Sequence, residues 1–387
     1  NTTVGERSLR SNTTGSFNIA IGSNTLFSNT TASNNTAIGT NAMYSNVIGA
    51  NNTSLGASTL YFNTASDNTA VGNAAGYSNT TASNNAFFGA NAGYTVTTGG
   101  GNTAIGKDSL RLNSTGTGNT ALGYVALENN TNSNNTALGY RSLRANTSGT
   151  YNVAVGVDAL LNNSTANYNT SIGALSMSST TTGLENTAIG FGSLTNNTTG
   201  SYNTAIGRAS LQVGTSISNN TAIGTFALQN NTVSNNTAVG YQAGYSNTSG
   251  DIIAIGYRAL YLNSTGLYNT SIGVQALRNN TIGNDNIAIG VNSLYNNSAG
   301  INNLAIGNSS LFQNQGSNNI AVGHEALYNN ASTSGNVAIG YQAAYSNLAN
   351  SNTIIGYQAG KNNTSGNITA LGYQALNANT TGSNNNA

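Results

Sequence analysis

The residues that could carry acid–base or nucleophilic chemistry are few and scattered in this chain. His324 is the only histidine, and Glu325 follows it directly. An imidazole beside a carboxylate can act in general acid–base catalysis when other groups position a substrate against the pair. The remaining carboxylates are far apart in the sequence, and no spacing places two of them on one face. We therefore predict no catalytic residues and no enzyme activity, and interpret His324 and Glu325 as a solvated pair.

Cofactor and metal motifs are also missing from the sequence. Glycine is abundant, with 47 residues, but no Gly-Lys-Ser or Gly-Lys-Thr phosphate loop is present. The calcium repeat Gly-Gly-x-Gly-x-Asp is absent as well, because aspartate is rare. The chain has no cysteine, which excludes disulfides. We expect no cofactor and no metal site.

The charge and hydropathy of the chain limit its partners. Only 5% of the residues are charged and the net charge is +1, so no basic stripe is available for a phosphate backbone. No apolar run approaches the roughly 18–20 residues that a membrane-spanning helix needs. We expect neither a nucleic-acid partner nor a membrane span.

The elements that position all side chains come from one internal repeat. The sequence Asn-Thr-Ala-Ile-Gly returns every 16 or 17 residues, and its glycine sets a register that runs through 23 positions from Gly5 to Gly372. A short, regular period of this kind is typical of a solenoid, in which each coil contacts only its neighbours. We predict an all-β, parallel β-solenoid, or β-roll, of about 23 coils. Residues 1–387 are expected to form a single continuous repeat domain without caps, a segment of a longer fibre.

The side-chain pattern within one coil predicts which residues face the core. Counting from the register glycine as position 0, position −1 is Val, Ile, Leu or Phe in every coil, and position −3 is Thr or aliphatic in nearly all of them. Residues two apart share a strand face, so we expect −3 and −1 to point inward and −4 and −2 outward. A second, shorter strand is expected around positions +3 and +4, where +4 is mostly Leu. The predicted core ladder comprises Ile21, Ile38, Leu55, Ile105, Ile189, Ile206, Ile289, Leu26, Leu110 and Leu194.

Asparagine recurs in two columns with different interpretations. Position −4 is Asn in 21 of 23 coils, and stacked Asn side chains can hydrogen-bond along the axis of a β stack. At position +7, Asn begins glycosylation sequons that we place in an outer turn. The candidate glycosylation sites are Asn12, Asn29, Asn113, Asn197 and Asn263.

Aromatic residues form runs at two other positions. One strand spacing of roughly 4.8 Å between successive coils suits offset stacking of their rings. Two interpretations stay open: the runs stabilise the coil stack, or they form strips that bind sugars or a neighbouring fibre. In five coils Leu is missing at +4, and we expect the Tyr that follows in four of them to turn inward and fill the gap. The candidate strip residues are Phe27, Tyr44, Tyr61, Tyr77 and Tyr94 at position +5, and Tyr341, Tyr357 and Tyr373 at position +1.

The unit Asn-Thr-Ala-Ile-Gly-x-x-Ala-Leu resembles the head repeat of trimeric autotransporter adhesins. It is also similar to repeats of bacterial and phage tail-fibre-like proteins, and the similarity extends over the whole chain. The resemblance implies a left-handed roll. It also implies a trimer in which three rolls meet, for which we expect the small −2 column of Ala20, Ala37, Ser54 and Ala70 to be the interface. The period is longer than in that family, and no heptad stalk or anchor is present.

These observations favour a structural role outside the cell. We expect the chain to be a subunit of an extracellular filament or surface fibre with an adhesive or matrix role, associating with itself end to end, laterally or as a trimer. The alternatives are a trimeric adhesin head or a phage tail-fibre shaft that binds cell-surface polysaccharide. Ice recognition requires a flat outward Thr array, and the predicted inward Thr column argues against it.

Overall fold

The computed structural model describes residues 1–364, 366–380 and 382–387. These residues form short β-strands joined by turns, and no helix occurs among them. The chain divides into two compact units, Asn1–Gly200 and Ser201–Ala387. Each unit is a parallel β-solenoid, which confirms the predicted fold class and period. The expectation of one continuous domain stays a prediction.

Each coil contributes one strand of three residues, which ends immediately before the register glycine. Successive strands within a unit pair in parallel, and every residue lies opposite the residue of its own column, as Thr36 does with Thr53 and Ile38 with Leu55. The strands of the first unit are β1 (Thr2–Val4), β2 (Ile19–Ile21), β3 (Thr36–Ile38), β4 (Thr53–Leu55), β5 (Thr69–Val71), β6 (Ala86–Phe88), β7 (Thr103–Ile105), β8 (Thr120–Leu122), β9 (Thr136–Leu138), β10 (Val153–Val155), β11 (Thr170–Ile172) and β12 (Thr187–Ile189). Those of the second unit are β13 (Thr204–Ile206), β14 (Thr221–Ile223), β15 (Thr237–Val239), β16 (Ile253–Ile255), β17 (Thr270–Ile272), β18 (Ile287–Ile289), β19 (Leu304–Ile306), β20 (Ile320–Val322), β21 (Val337–Ile339), β22 (Thr353–Ile355) and β23 (Thr369–Leu371).

The register glycine turns the chain sharply out of the strand. Gly39 has φ +132°, a conformation that L side chains rarely adopt, and a Cβ on it would lie 2.4 Å from the carbonyl oxygen of Gly56. Glycine is therefore required at this position for two reasons: the backbone conformation, and the close approach of the next coil. These two constraints explain why the register position is glycine in every coil.

The predicted second strand is wrong, because the residues after the glycine form a chain of turns. In the third coil Asn41 and Met43 both have φ between +50° and +60°, which a β-strand does not allow. Their N–H groups donate in opposite directions along the solenoid: Asn41 N to Ser23 O at 2.9 Å and Met43 N to Thr59 O at 2.9 Å. The turns therefore carry inter-coil ladders of their own and satisfy backbone groups that a strand would otherwise pair.

The strand faces are also the reverse of our prediction. The Ala or Ser at −2 is buried, as in Ala37 and Ser54 with 0% exposure, whereas the residue at −1 faces outward. The space beneath the strand is narrow and is already filled by the Leu at +4, so only a small residue fits there. Ile21, Ile38, Leu55, Ile105, Ile189, Ile206 and Ile289 therefore lie on the outer side, half-buried to exposed, whereas the predicted core residues Leu26, Leu110 and Leu194 are fully buried.

The coils that lack Leu at +4 show how tightly this core is matched. Phe87 replaces the usual small residue at −2 and is fully buried, and its ring occupies the space above both Gly76 and Gly93. Ile354 similarly packs against Gly360. At these three glycines the gap is thus filled by a large residue of the strand, and at Gly244 by Leu228 and Ile252, so the expectation that the following tyrosines turn inward is wrong.

Candidate interaction surface

In each unit, the outward side of the strands carries two parallel columns, formed by positions −3 and −1 of its coils, that together we call the strand face. The −1 column is aliphatic or Phe in all 23 coils, and the −3 column holds 15 Thr, with aliphatic residues in the others. Typical −1 residues such as Ile105 and Leu138 are 37% and 42% exposed. None of the 19 charged side chains occurs in either column. The strand face is therefore a regular, uncharged surface of methyl and hydroxyl groups.

The predicted trimer interface lies elsewhere and is not accessible. Ala20, Ala37, Ser54 and Ala70 all have 0% exposure, because position −2 points into the coil beneath the strand. A partner chain cannot touch these side chains without unfolding the coil. The assignment of that column to a subunit interface is wrong.

Two asparagine ladders run through the interior of each unit. At position −4, Asn35 Oδ1 accepts the N–H of Asn52 at 3.0 Å, and Asn35 Nδ2 donates to Gly49 O at 2.9 Å. At position +7, Asn163 Nδ2 donates to Asn146 Oδ1 at 2.7 Å, and Asn146 Nδ2 to Asn130 Oδ1 at 2.6 Å. The hydrogen bonding along the axis that we predicted for position −4 is present, but inside the coil. Buried amides of this kind are stable only when their donors and acceptors are paired.

The candidate glycosylation sites belong to the +7 ladder. Asn29, Asn113, Asn197 and Asn263 have 0% exposure, and Asn12 is partly buried. Asn29 Nδ2, the atom that a glycan would occupy, donates to Asn12 Oδ1 at 2.8 Å and to Ala32 O at 3.1 Å. A glycan at the four fully buried positions would have to displace the core. The placement of these sequons in an outer turn is wrong, and the sites are structural.

The aromatic runs are stacked as their spacing predicted. The rings from Phe27 to Tyr94 have centroids 4.9–5.2 Å apart with nearly parallel planes for most pairs. Tyr341, Tyr357 and Tyr373 stack in the same way, and the imidazole of His324 lies 5.3 Å from the Tyr341 ring at the head of that run. Each inner ring has its two faces covered by its neighbours and presents only its edge to solvent. A stack of this kind offers a sugar no flat face along its length.

Burial affects the ionisation of two rings in these stacks. Desolvation raises the pKa of Tyr61, and the neighbouring phenols of Tyr44 and Tyr77 raise it further. Desolvation likewise raises the pKa of Tyr345, with contributions from Glu325 and Tyr328. Stacking thus favours the neutral phenol, because a phenolate would be less hydrated there.

Polar ladders at the turn surface were missed by the sequence analysis. Arg141 donates to both carboxylate oxygens of Asp158 at 2.7 Å, and this hydrogen bond raises the pKa of Arg141. At the same column position Gln358 donates to Gln342 at 2.9 Å. Matching partners are separated by one period, 17 and 16 residues, and this spacing could have revealed them. His324 Nδ1 lies 3.7 Å from Glu325, on the exposed side of its coil.

Among the described residues, no three His, Asp or Glu side chains gather where a metal ion could bind. In the same part of the chain, no helix has the length and apolar character needed to traverse a bilayer. No protein-family model matches the chain, and no curated protein matches it.

Proposed function

We propose that this chain is a structural subunit of an extracellular filament or surface fibre, whose copies associate through the strand face. The observation that carries the proposal is the outward −1 column, which is apolar in all 23 coils and half-exposed where soluble proteins usually present polar residues. Contiguous apolar surface beyond a few hundred Å² marks an interaction site. A stripe that repeats on coil after coil suits a partner that is equally long and equally periodic.

A second copy of the chain has the matching period. Two strand faces present the same spacing of about 4.8 Å, so the side chains of one can interdigitate with those of the other along the length of a unit. Neither face contains a charge that would have to be desolvated, which removes the largest cost of burying a surface. The interior ladders pair most buried amides within the chain itself, so the strand face is not needed to satisfy them and is free for assembly.

Mass per unit length, measured by electron microscopy of the native fibre, tests the proposal. A coil of 16–17 residues advances by about one strand spacing, so a fibre one roll thick should contain about 0.36 kDa per Å. Lateral association predicts an integer multiple of this value, and a value of three would match the adhesin-like trimer. A fibre that stays one roll thick with the strand face exposed would contradict assembly through that face.

The adhesive alternatives, an adhesin head or a phage tail-fibre shaft, require a ligand. A glycan array probed with the isolated chain distinguishes them from a passive shaft, since a shaft binds no sugar. A neighbouring phage gene or a downstream chaperone domain would favour the tail-fibre role.

Ice recognition becomes a second candidate because the Thr column faces outward. Nine of the twelve −3 residues of the first unit are Thr, at one strand spacing along the solenoid. Thermal hysteresis of the dispersed chain is the direct test. Ice shaping by single chains, lost when Thr103 and Thr136 are replaced by Lys, would favour this candidate over lateral assembly.

A further inference from the structure

The five-ring stack at position +5 of the first unit differs at its two ends. At the first end, the guanidinium carbon of Arg10 lies 5.4 Å from the centroid of the Phe27 ring and covers its outer face. Cations close ring faces in the second unit as well, where Arg278 lies between Tyr261 and Tyr295 at 5.5 and 5.6 Å. A covered face offers no platform to a ligand.

At the other end of the stack, the last ring faces a pocket. The next residue of the column is Arg111, whose guanidinium is directed toward Asp108 and Glu128, at 3.9 and 3.8 Å. A pocket of about 230 Å³ opens between the coils, and Asn91, Tyr94 and Arg111 line it. Tyr94 stacks on Tyr77 with one face, and at the end of the stack it borders this pocket, with a guanidinium and an amide beside it.

The polar groups of this pocket have capacity for a ligand. Both ion pairs of Arg111 are longer than a hydrogen bond, so its N–H donors are available for a closer acceptor. Asn91 Nδ2 donates to Asp108 Oδ1 at 2.9 Å, which fixes the amide and leaves its carbonyl oxygen to accept a hydroxyl. Arg144 hydrogen-bonds Glu128 at 2.7 Å and neutralises one of the two carboxylates that flank Arg111.

We propose that Tyr94, Arg111 and Asn91 form a subsite for one pyranose ring of an acidic polysaccharide. The C–H face of a pyranose can pack on the half-buried phenol ring at the end of the stack, and the forked guanidinium matches a carboxylate on that sugar. The nearby charges favour an anion, since Lys107, Arg111 and Arg144 outnumber Asp108 and Glu128. The volume is below that of a pocket for a drug-sized ligand, so it suits a single sugar residue of a longer chain.

This subsite deepens the adhesive alternative to the proposed function and rests on that alternative for the source of the sugar. It also reduces the predicted sugar-binding strip at position +5 to one ring, Tyr94, because the faces of the inner rings of the stack are covered by their neighbours. The ligand would bind at one place on the side of the solenoid, away from the strand face. Fibre assembly and sugar binding are thus separable properties of the same chain.

Calorimetric titration of the full chain tests the subsite, with an oligogalacturonate trimer and the uncharged galactose trimer as probes. We expect the uronate to bind, and Tyr94→Ala to weaken it at least about tenfold, whereas Tyr94→Phe retains the ring and the binding. Arg111→Gln should remove the preference for the uronate over the neutral sugar. Lys361→Gln is the matched control, since that cation packs 5.9 Å from the Tyr345 ring, and it should leave both affinities unchanged.

Failure of the oligogalacturonate trimer to bind overturns the subsite, as does unaltered binding by a folded Tyr94→Ala variant. Circular dichroism of each variant shows whether weaker binding results from the missing aromatic ring or from loss of the fold. The mass per unit length of the fibre does not depend on sugar binding. A negative result in the titration would therefore leave the assembly proposal unaffected, and that proposal is tested separately by electron microscopy.

Discussion

At the scale of single residues, the chain depends on buried amides rather than on large apolar side chains. Each coil contributes about one Leu and several small residues to the core, and the asparagines at −4 and +7 complete it by hydrogen bonding from coil to coil. Removing one partner from such a network costs more than the average hydrogen bond, because it leaves a buried polar atom unpaired. Sites where the ladder is interrupted are therefore the places where a substitution should stabilise the protein.

The clearest interruption is at Val96, which replaces Asn at position +7. The preceding ladder residue Asn79 has no partner for its Oδ1 among the described residues. Val96→Asn should supply the missing donor, as Asn79 does for Asn63 at 2.8 Å, and raise the free energy of unfolding by about 1 kcal/mol. Chemical denaturation of the variant and the parent chain measures the difference.

Val96→Thr is the control for this substitution, since it is close in size but lacks the amide. An Asn variant no more stable than the Thr variant would show that the ladder does not extend through this coil.

At the scale of the coil, the register glycine and the turn behind it decide the geometry. The glycine permits a backbone conformation that no L residue adopts easily, and the next coil lies against its Cα. The turn residues then alternate through left-handed conformations, which directs consecutive residues such as Ala42 and Met43 both into the core. One short strand and one chain of turns are enough to close a coil.

Gly39→Ala tests this requirement. The new Cβ would lie 2.4 Å from Gly56 O and force a strained φ, so we expect a loss of about 1–3 kcal/mol or more from the strain alone. Gly101→Ala is the control with neither constraint, because its φ of +69° is close to the left-handed conformation that Asn41 adopts and the nearest atom to a Cβ there is 4.0 Å away. Equal losses in thermal or denaturant unfolding for both variants would mean that neither the φ of Gly39 nor its contact with the next coil requires glycine.

Burial of Tyr61 in the aromatic stack predicts how the stability of the folded chain changes at alkaline pH. The pKa of Tyr61 is raised in the folded chain, so the folded state holds this proton more tightly than the unfolded state does. The associated stability is present below the ordinary tyrosine value of about 10 and is lost as the pH rises through the raised pKa. Ultraviolet titration of phenolate formation, with unfolding followed in parallel, should show late-titrating rings, and one of them should disappear in Tyr61→Phe. A wild-type titration identical to that of Tyr61→Phe plus one ordinary tyrosine would contradict the raised pKa.

At the scale of the whole molecule, the outward columns govern how copies meet. Ile105 and Ile172 lie in the strand face of the first unit, and neither contributes to the interior. Replacing both by Lys should therefore leave each coil folded while placing like charges at the interface between copies, where they repel and must be desolvated.

Analytical ultracentrifugation measures the outcome, which we expect to be a shift from assembled to single chains that high salt only partly reverses. Arg208→Glu is a control, because this change of charge lies at a turn position outside the strand face. Undiminished assembly of the double lysine variant would locate the contact between copies on another surface.

The sequence alone determined the repeat, the coil length, the all-β class and the columns in which like residues stack. Periodicity suffices for these, because a residue that recurs at one period must recur at one place in a stack of identical coils. It also predicted the ring stacking from Phe27 to Tyr94, since one strand spacing suits aromatic contact.

Only the tertiary structure decided which columns face inward. An apolar residue at every −1 position and an Asn at nearly every −4 position suggest a core of Ile and a surface of Asn. The space inside a typical coil instead accommodates Asn and excludes Ile. It is too narrow for Ile beside the inward Leu, and it contains unpaired carbonyl groups that an amide satisfies and an aliphatic side chain does not. The available volume and the direction of hydrogen bonds, which depend on how the turns close each coil, therefore placed the asparagines inside, the aliphatic stripe outside and Tyr94 beside Arg111.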